Sequence, residues 1–175
     1  MCIAMQITVV VAWEGTSMCT TALTSSTRTG TSVVLSSWMM EIGQTSNLMR
    51  PYYHALLAEA LGATGDKEGA LGAISDGLSM LETSGARWWE AELCRLRGEL
   101  LRSEEWLQRS LDVSRHQQAK SLELRASMSM ARLWRDQGKR TKARDLLVPV
   151  YGWFTEGFDT LDLKEAKALL DELHA

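Results

Sequence analysis

Proline is nearly missing from this chain: Pro51 and Pro149 are the two examples in 175 residues. With so few breakers, the polar spacing runs at a helical period from about residue 49 onward. Cysteine is scarce too. Cys2, Cys19 and Cys94 form an odd, scattered set with no metal-ligand or redox spacing. Reduced thiols in a cytoplasmic protein account for them most simply, with Cys94 a small core residue on an apolar helix face. Long apolar runs are absent. Ile3 to Trp13 is too short for a transmembrane helix. The first basic residue is Arg28, so that run also makes a poor signal peptide. The net charge of −3 favours neither nucleic acid nor an anionic membrane.

Catalytic motifs are missing as well. GATGDKEG lacks phosphate-loop spacing and reads as a helix-to-helix turn. His54, His116 and His174 are far apart, with no ligand-spaced Cys or carboxylate cluster beside them. His54 is expected to pack or cap on a helix face. No serine sits in a G-x-S-x-G elbow. Glu104-Glu105 and Asp171-Glu172 are neighbours in sequence that face different ways on a helix, which makes them poor acid–base pairs. The expectation is a chain without catalytic residues, cofactor or metal.

What is present is amphipathic helix. Ser121 to Gly157 reads as two helices joined at Gly138. Leu122, Ala126, Met130, Leu133 and Trp134 recur at helical spacing on the first. Ala143, Leu146, Leu147, Val150, Tyr151 and Phe154 do so on the second. Charge is segregated along the chain. Met1 to Ala86 carries a net of −4, Arg87 to Arg144 a net of +6, and Asp145 to Ala175 a net of −5. A basic middle between acidic ends either steers an acidic partner or is a set of solvated Arg/Glu helix faces.

Taken in order, Met1 to about Thr31 is a Ser/Thr-rich lead-in, either irregular or a degenerate helix. Thr31 to Ile42 reads as a moderate helix stopped by Gly43. Leu48 to Ala63 is a stronger one, with Pro51 in its first turn and Leu56, Leu57, Ala60 and Leu61 as its buried stripe. Asp66 caps a helix over Lys67 to Glu82. Arg87 to Leu101 and Ser103 to His116 follow, read as two helices because the apolar phase shifts near Ser103. A capping helix closes the chain from about residue 160, with Asp162 and Glu165 as a capping-box variant. Trp88 and Trp89 are expected in the core or sealing a joint.

The helix pairs repeat. Small residues of the first helices fall at Ala58, Gly98 and Ala131, and second-helix counterparts at Gly77, Ser110 and Val150. A helix pair recurring every thirty to forty residues is the mark of an α-solenoid. Leu56 to Ile74, LLAEALGATGDKEGALGAI, resembles a tetratricopeptide repeat, and Met130 to Leu147, MARLWRDQGKRTKARDLL, repeats the pattern. The middle copy, RLRGELLRSEEWLQRSL, keeps Gly98, Leu101, Leu107 and Leu111 but is shortened at its turn. From about Thr31 the wording resembles the C-terminal repeat region of large bacterial signalling proteins that join a class III adenylate/guanylate cyclase to an AAA-type ATPase. The resemblance implies an all-α fold over residues 31–175, made of antiparallel helix-pair repeats in a superhelix. It also implies a non-catalytic scaffold, without cyclase or ATPase activity of its own.

In such repeats the first helices line a groove, and exposed positions there do the recognising. Carried over, these are Tyr52, Ala55 and Glu59; Glu92, Arg95, Glu99 and Arg102; and Arg125, Met128, Arg132 and Arg135. Guanidinium groups favour carboxylate or phosphate. The implied partner is a protein or acidic peptide, the parent protein's cyclase or ATPase domain included. The alternative is that these Arg residues are solvated or paired with Glu92 and Glu99. Two other readings stay open: an accessory helical domain of a transcriptional regulator, and a homodimerising gene remnant.

Overall fold

A computed structural model of the chain describes residues 49–85 and 87–174. The lead-in over 1–30 and the helix expected over Thr31 to Ile42 lie outside the described residues. Seven α-helices and no strand occur among the described residues. They are α1 (Arg50–Thr64), α2 (Lys67–Ser84), α3 (Glu90–Leu101), α4 (Glu104–His116), α5 (Lys120–Asp136), α6 (Arg140–Tyr151) and α7 (Leu161–His174). One 3-10 turn, Arg87–Trp89, leads into α3. None of the described helices is long and apolar enough to cross a membrane.

Local chemistry sets most of the boundaries. Pro51 sits in the first turn of α1, where its missing N–H costs nothing. Gly65, at φ 84°, ends α1, and the Asp66 N–H returns to the Leu61 carbonyl at 3.0 Å. The Asp66 carboxylate then accepts from the Gly69 N–H at 2.9 Å, which starts α2. Gly138, at φ 78°, closes α5 in the same way, with Lys139 N–H on the Trp134 carbonyl at 2.8 Å.

The shortened middle turn is intact. α3 and α4 are separate helices, and they pack closely on each other. Arg102, at φ 50°, takes the left-handed position that Gly65 and Gly138 hold elsewhere. Ser103 N–H reaches the Gly98 carbonyl at 2.9 Å, and the Ser103 hydroxyl accepts from Trp106 N–H. Gly98 permits the approach: a Cβ there would lie 2.7 Å from the Leu107 side chain and 3.0 Å from its backbone nitrogen.

Helices pack in pairs, α1 on α2, α3 on α4 and α5 on α6, and each second helix leads into the next first helix. First helices also touch each other in turn, α1 on α3, α3 on α5 and α5 on α7. They form one layer, and α2, α4 and α6 lie behind it. All six small-residue positions of the repeat are buried. One core cluster joins α1, α2 and α3 through Ala58, Ile74 and Leu93. The other joins α4 to α7 through Leu111, Met130, Leu147 and Leu170. Two expectations fail in detail. Leu56 is exposed, because α1 buries Pro51, Ala55, Ala58 and Leu61 instead. Asp162 and Glu165 do not cap α7; their carboxylates reach across to α5, as shown below.

Candidate functional site

The layer of first helices carries a polar face that runs from α1 to α7. Its centre is Arg95 on α3, 8% exposed. Arg95 donates to both carboxylate oxygens of Glu92, from Nε at 2.9 Å and from Nη2 at 2.8 Å. Its guanidinium also meets Glu99 at 2.7 Å and Glu59 of α1 at 3.4 Å. Glu92 is itself 3% exposed and faces Arg125 of α5 at 3.4 Å. Arg125 turns to Asp162 of α7 at 2.8 Å. Ser129 donates to Glu99 at 2.6 Å. Four helices are thus tied by one network of charges.

Burial and pairing pull the titrations apart. Burial by itself would raise the Glu92 carboxyl. The Arg95 charge and hydrogen bonds, with help from Arg125, outweigh it and hold the group below the usual range. Glu59 is raised, because burial exceeds the attraction of Arg95. The burial cost on Arg95 is overcome by its three carboxylates, so its pKa lies above the ordinary arginine value. These groups are matched ions. None is a free nucleophile, and Glu92 is a poor general base.

Toward the end of the stack the pairs open to solvent. Arg102 meets Asp136 at 2.8 Å, Arg132 meets Glu165 at 2.8 Å, and Arg135 meets Glu172 at 2.6 Å. Each of these guanidiniums is about one-third or more exposed.

Of the ten candidate positions, Glu59, Glu92, Arg95, Glu99 and Arg125 come together in the network. Arg102, Arg132 and Arg135 line the same face outside it, with Asp136 shared between Arg102 and Arg135 and Arg132 paired with Glu165. Tyr52 is apart: its ring packs on Trp88 and Trp89 at the start of α1 and α3. Met128 is 3% exposed and belongs to the core, as does Ala55. Both point inward because α5 and α1 are wrapped by neighbours on the side that a single-helix projection leaves free. Trp88 is exposed, not core, while Trp89 is half-buried in the joint between α1 and α3. Sequence reasoning missed Asp136, Asp162, Glu165 and Glu172 as the acidic partners of this face. Their signal is a charge of opposite sign 33 to 37 residues after Glu92, Arg102, Arg125, Arg132 and Arg135.

Behind the layer, α2, α3 and α4 enclose a cleft of about 170 Å³ lined by Glu82, Arg87, Glu90, Trp106 and Arg109. Glu90 pairs with Arg109 at 3.1 Å and with Arg87 at 3.6 Å, so the cleft neutralises itself. Cys94, fully buried nearby, has its thiol pushed up to about 11 by burial. His54 is lowered by burial between α1 and α2. Among the described residues no three His, Cys, Asp or Glu side chains gather as a metal site. Compared with known proteins, the chain matches no family model, no curated protein and no solved structure.

Proposed function

We propose that this chain is a non-catalytic protein–protein interaction module, a tetratricopeptide-like repeat array akin to the tail of bacterial cyclase–ATPase signalling proteins. The observation that carries the reading is the unbroken layer of four first helices, each touching the next. Paired helices stacked in this order shelter one another's apolar faces and leave the first-helix layer as the working surface.

The ion pairs divide that surface by role. Arg95 and Glu92 hold neighbouring helices in register, because their charges are too buried to be released to a partner, and Glu59 and Arg125, both half-buried, are tied to them. Arg102 is exposed, Arg132 and Arg135 are half-buried, and each is held by an exposed or half-exposed carboxylate. Such pairs are worth roughly 0–1 kcal/mol, so a partner's carboxylate can replace the chain's own. An acidic segment of a partner protein is the fitting ligand. Anisotropy titration of a fluorescein-labelled Glu/Asp-rich peptide tests this. Binding should be abolished by the double variant Arg132→Glu, Arg135→Glu and kept by Arg109→Glu on the rear side. Equal binding by both variants, or none by the parent chain, refutes an acidic partner on this layer.

A further inference from the structure

α7 closes the far end of the first-helix layer, where it lays carboxylates on the arginines of α5. Glu165 meets Arg132 at 2.8 Å, and Glu172 meets Arg135 at 2.6 Å. Asp162, on the same face of α7, meets Arg125 at 2.8 Å. Apolar burial, more than charge, seats the helix. Leu163, Leu169, Leu170 and Leu173 are all buried in the core cluster that joins α4 to α7. The Glu165 and Glu172 side chains are 45% and 58% exposed, and pairs that open to water add little to stability.

What these pairs do decide is the charge of the surface. Arg102, Arg132 and Arg135 stand outside the buried network and make ion pairs with three carboxylates. One of them, Asp136, belongs to α5 itself. The other two are Glu165 and Glu172 of α7. With them the three guanidiniums are neutralised; without them the site carries two positive charges in excess. An incoming carboxylate finds its places taken and no net field to draw it in.

We infer, on the acidic-partner reading of this layer, that α7 is an autoinhibitory acidic cap. Glu165 and Glu172 are internal ligands for the guanidiniums that an acidic partner takes, and they hold its affinity down. The free chain is already loaded, and a partner gains the site by exchanging carboxylate for carboxylate. Exchange conserves the number of ion pairs, so binding by the parent chain is weak and responds little to salt. The helix itself stays docked, because its leucines take no part in the exchange.

Two double variants of the full chain test this, with a fluorescein-labelled Glu/Asp-rich peptide read by anisotropy. Glu165→Gln with Glu172→Gln removes both competitors and leaves the three arginines in place. Asp159→Asn with Asp171→Asn removes the same charge at exposed positions that meet none of these arginines. The first variant should bind about three- to twentyfold tighter than the parent chain. Its affinity should also fall more steeply with added salt, since it gains pairs where the parent exchanges them. The second variant should match the parent. Amide hydrogen exchange over residues 161–174 should stay at the parent's rate in both. Equal affinity of the first variant and the parent overturns the inference and leaves the acidic partner standing. A gain that the second variant shares also overturns it, because net charge alone then accounts for the effect. So does a gain accompanied by faster exchange in α7, where an unseated helix is the cause. A peptide that binds neither the parent nor either variant refutes the acidic partner, and the cap with it.

Discussion

Removing the guanidinium at the centre of the layer should cost more than any exposed pair can. In Arg95→Met the hydrocarbon volume is largely kept, but Glu92, 3% exposed, loses two hydrogen bonds of 2.8 and 2.9 Å. Its remaining cation is Arg125 at 3.4 Å. Glu99 loses a contact of 2.7 Å but keeps Ser129. Breaking a buried pair on one side costs about 3–5 kcal/mol. At about 2–4 °C per kcal/mol for a chain of this size, Tm should fall by roughly 6–20 °C. Urea unfolding followed by tryptophan fluorescence measures the free energy. The control is Arg95→Met with Glu92→Leu, which removes both charges and should recover at least half of the loss. Acid titration supplies a second readout. The depressed Glu92 carboxyl contributes stability that is present above the ordinary carboxylate range and lost as pH falls through its folded value. Glu59, raised by burial, has the opposite sign, favouring the fold below that range and losing its effect as pH rises. Glu92 makes the shorter contacts and dominates. The parent chain should weaken below about pH 4, and Arg95→Met should show a shallower acid limb. A loss under about 1 kcal/mol in the single variant would refute the claim that the network ties the helices. A double variant as weak as the single would refute it too.

Three further perturbations probe the backbone. Gly98→Ala pushes a methyl against Leu107 and should destabilise by about 1–3 kcal/mol. Gly72→Ala on α2, with open space around it, should stabilise by about 0.5–1 kcal/mol in the same urea assay. Gln118 holds φ 54° at the end of α4, so Gln118→Gly should raise stability by about 0.5–1 kcal/mol. No gain would show that the left-handed turn carries no strain.

The amino-acid sequence by itself determined the helices of the described region and several of their ends, although α3 starts at Glu90 rather than Arg87 and α6 stops at Tyr151, short of Phe154. Asp66, Ser103, Gly65 and Gly138 act within four or five residues of their own position, so reading along the chain is enough to find them. The repeat was equally legible, since Ala58, Gly98 and Ala131 needed only to be small. Tertiary structure decided what those helices present to one another. Arg95 and Glu92 were read as exposed and are buried, because α1 and α5 close over α3 from either side. Asp162 and Glu165 were read as caps for their own helix and serve α5 instead. Arg102 was read as a groove residue, and its backbone also takes the left-handed turn that glycine takes in the other pairs. The physical reason is range. A cap is a contact with the next turn, whereas an ion pair between neighbouring first helices spans a whole repeat and exists only after the helices have stacked.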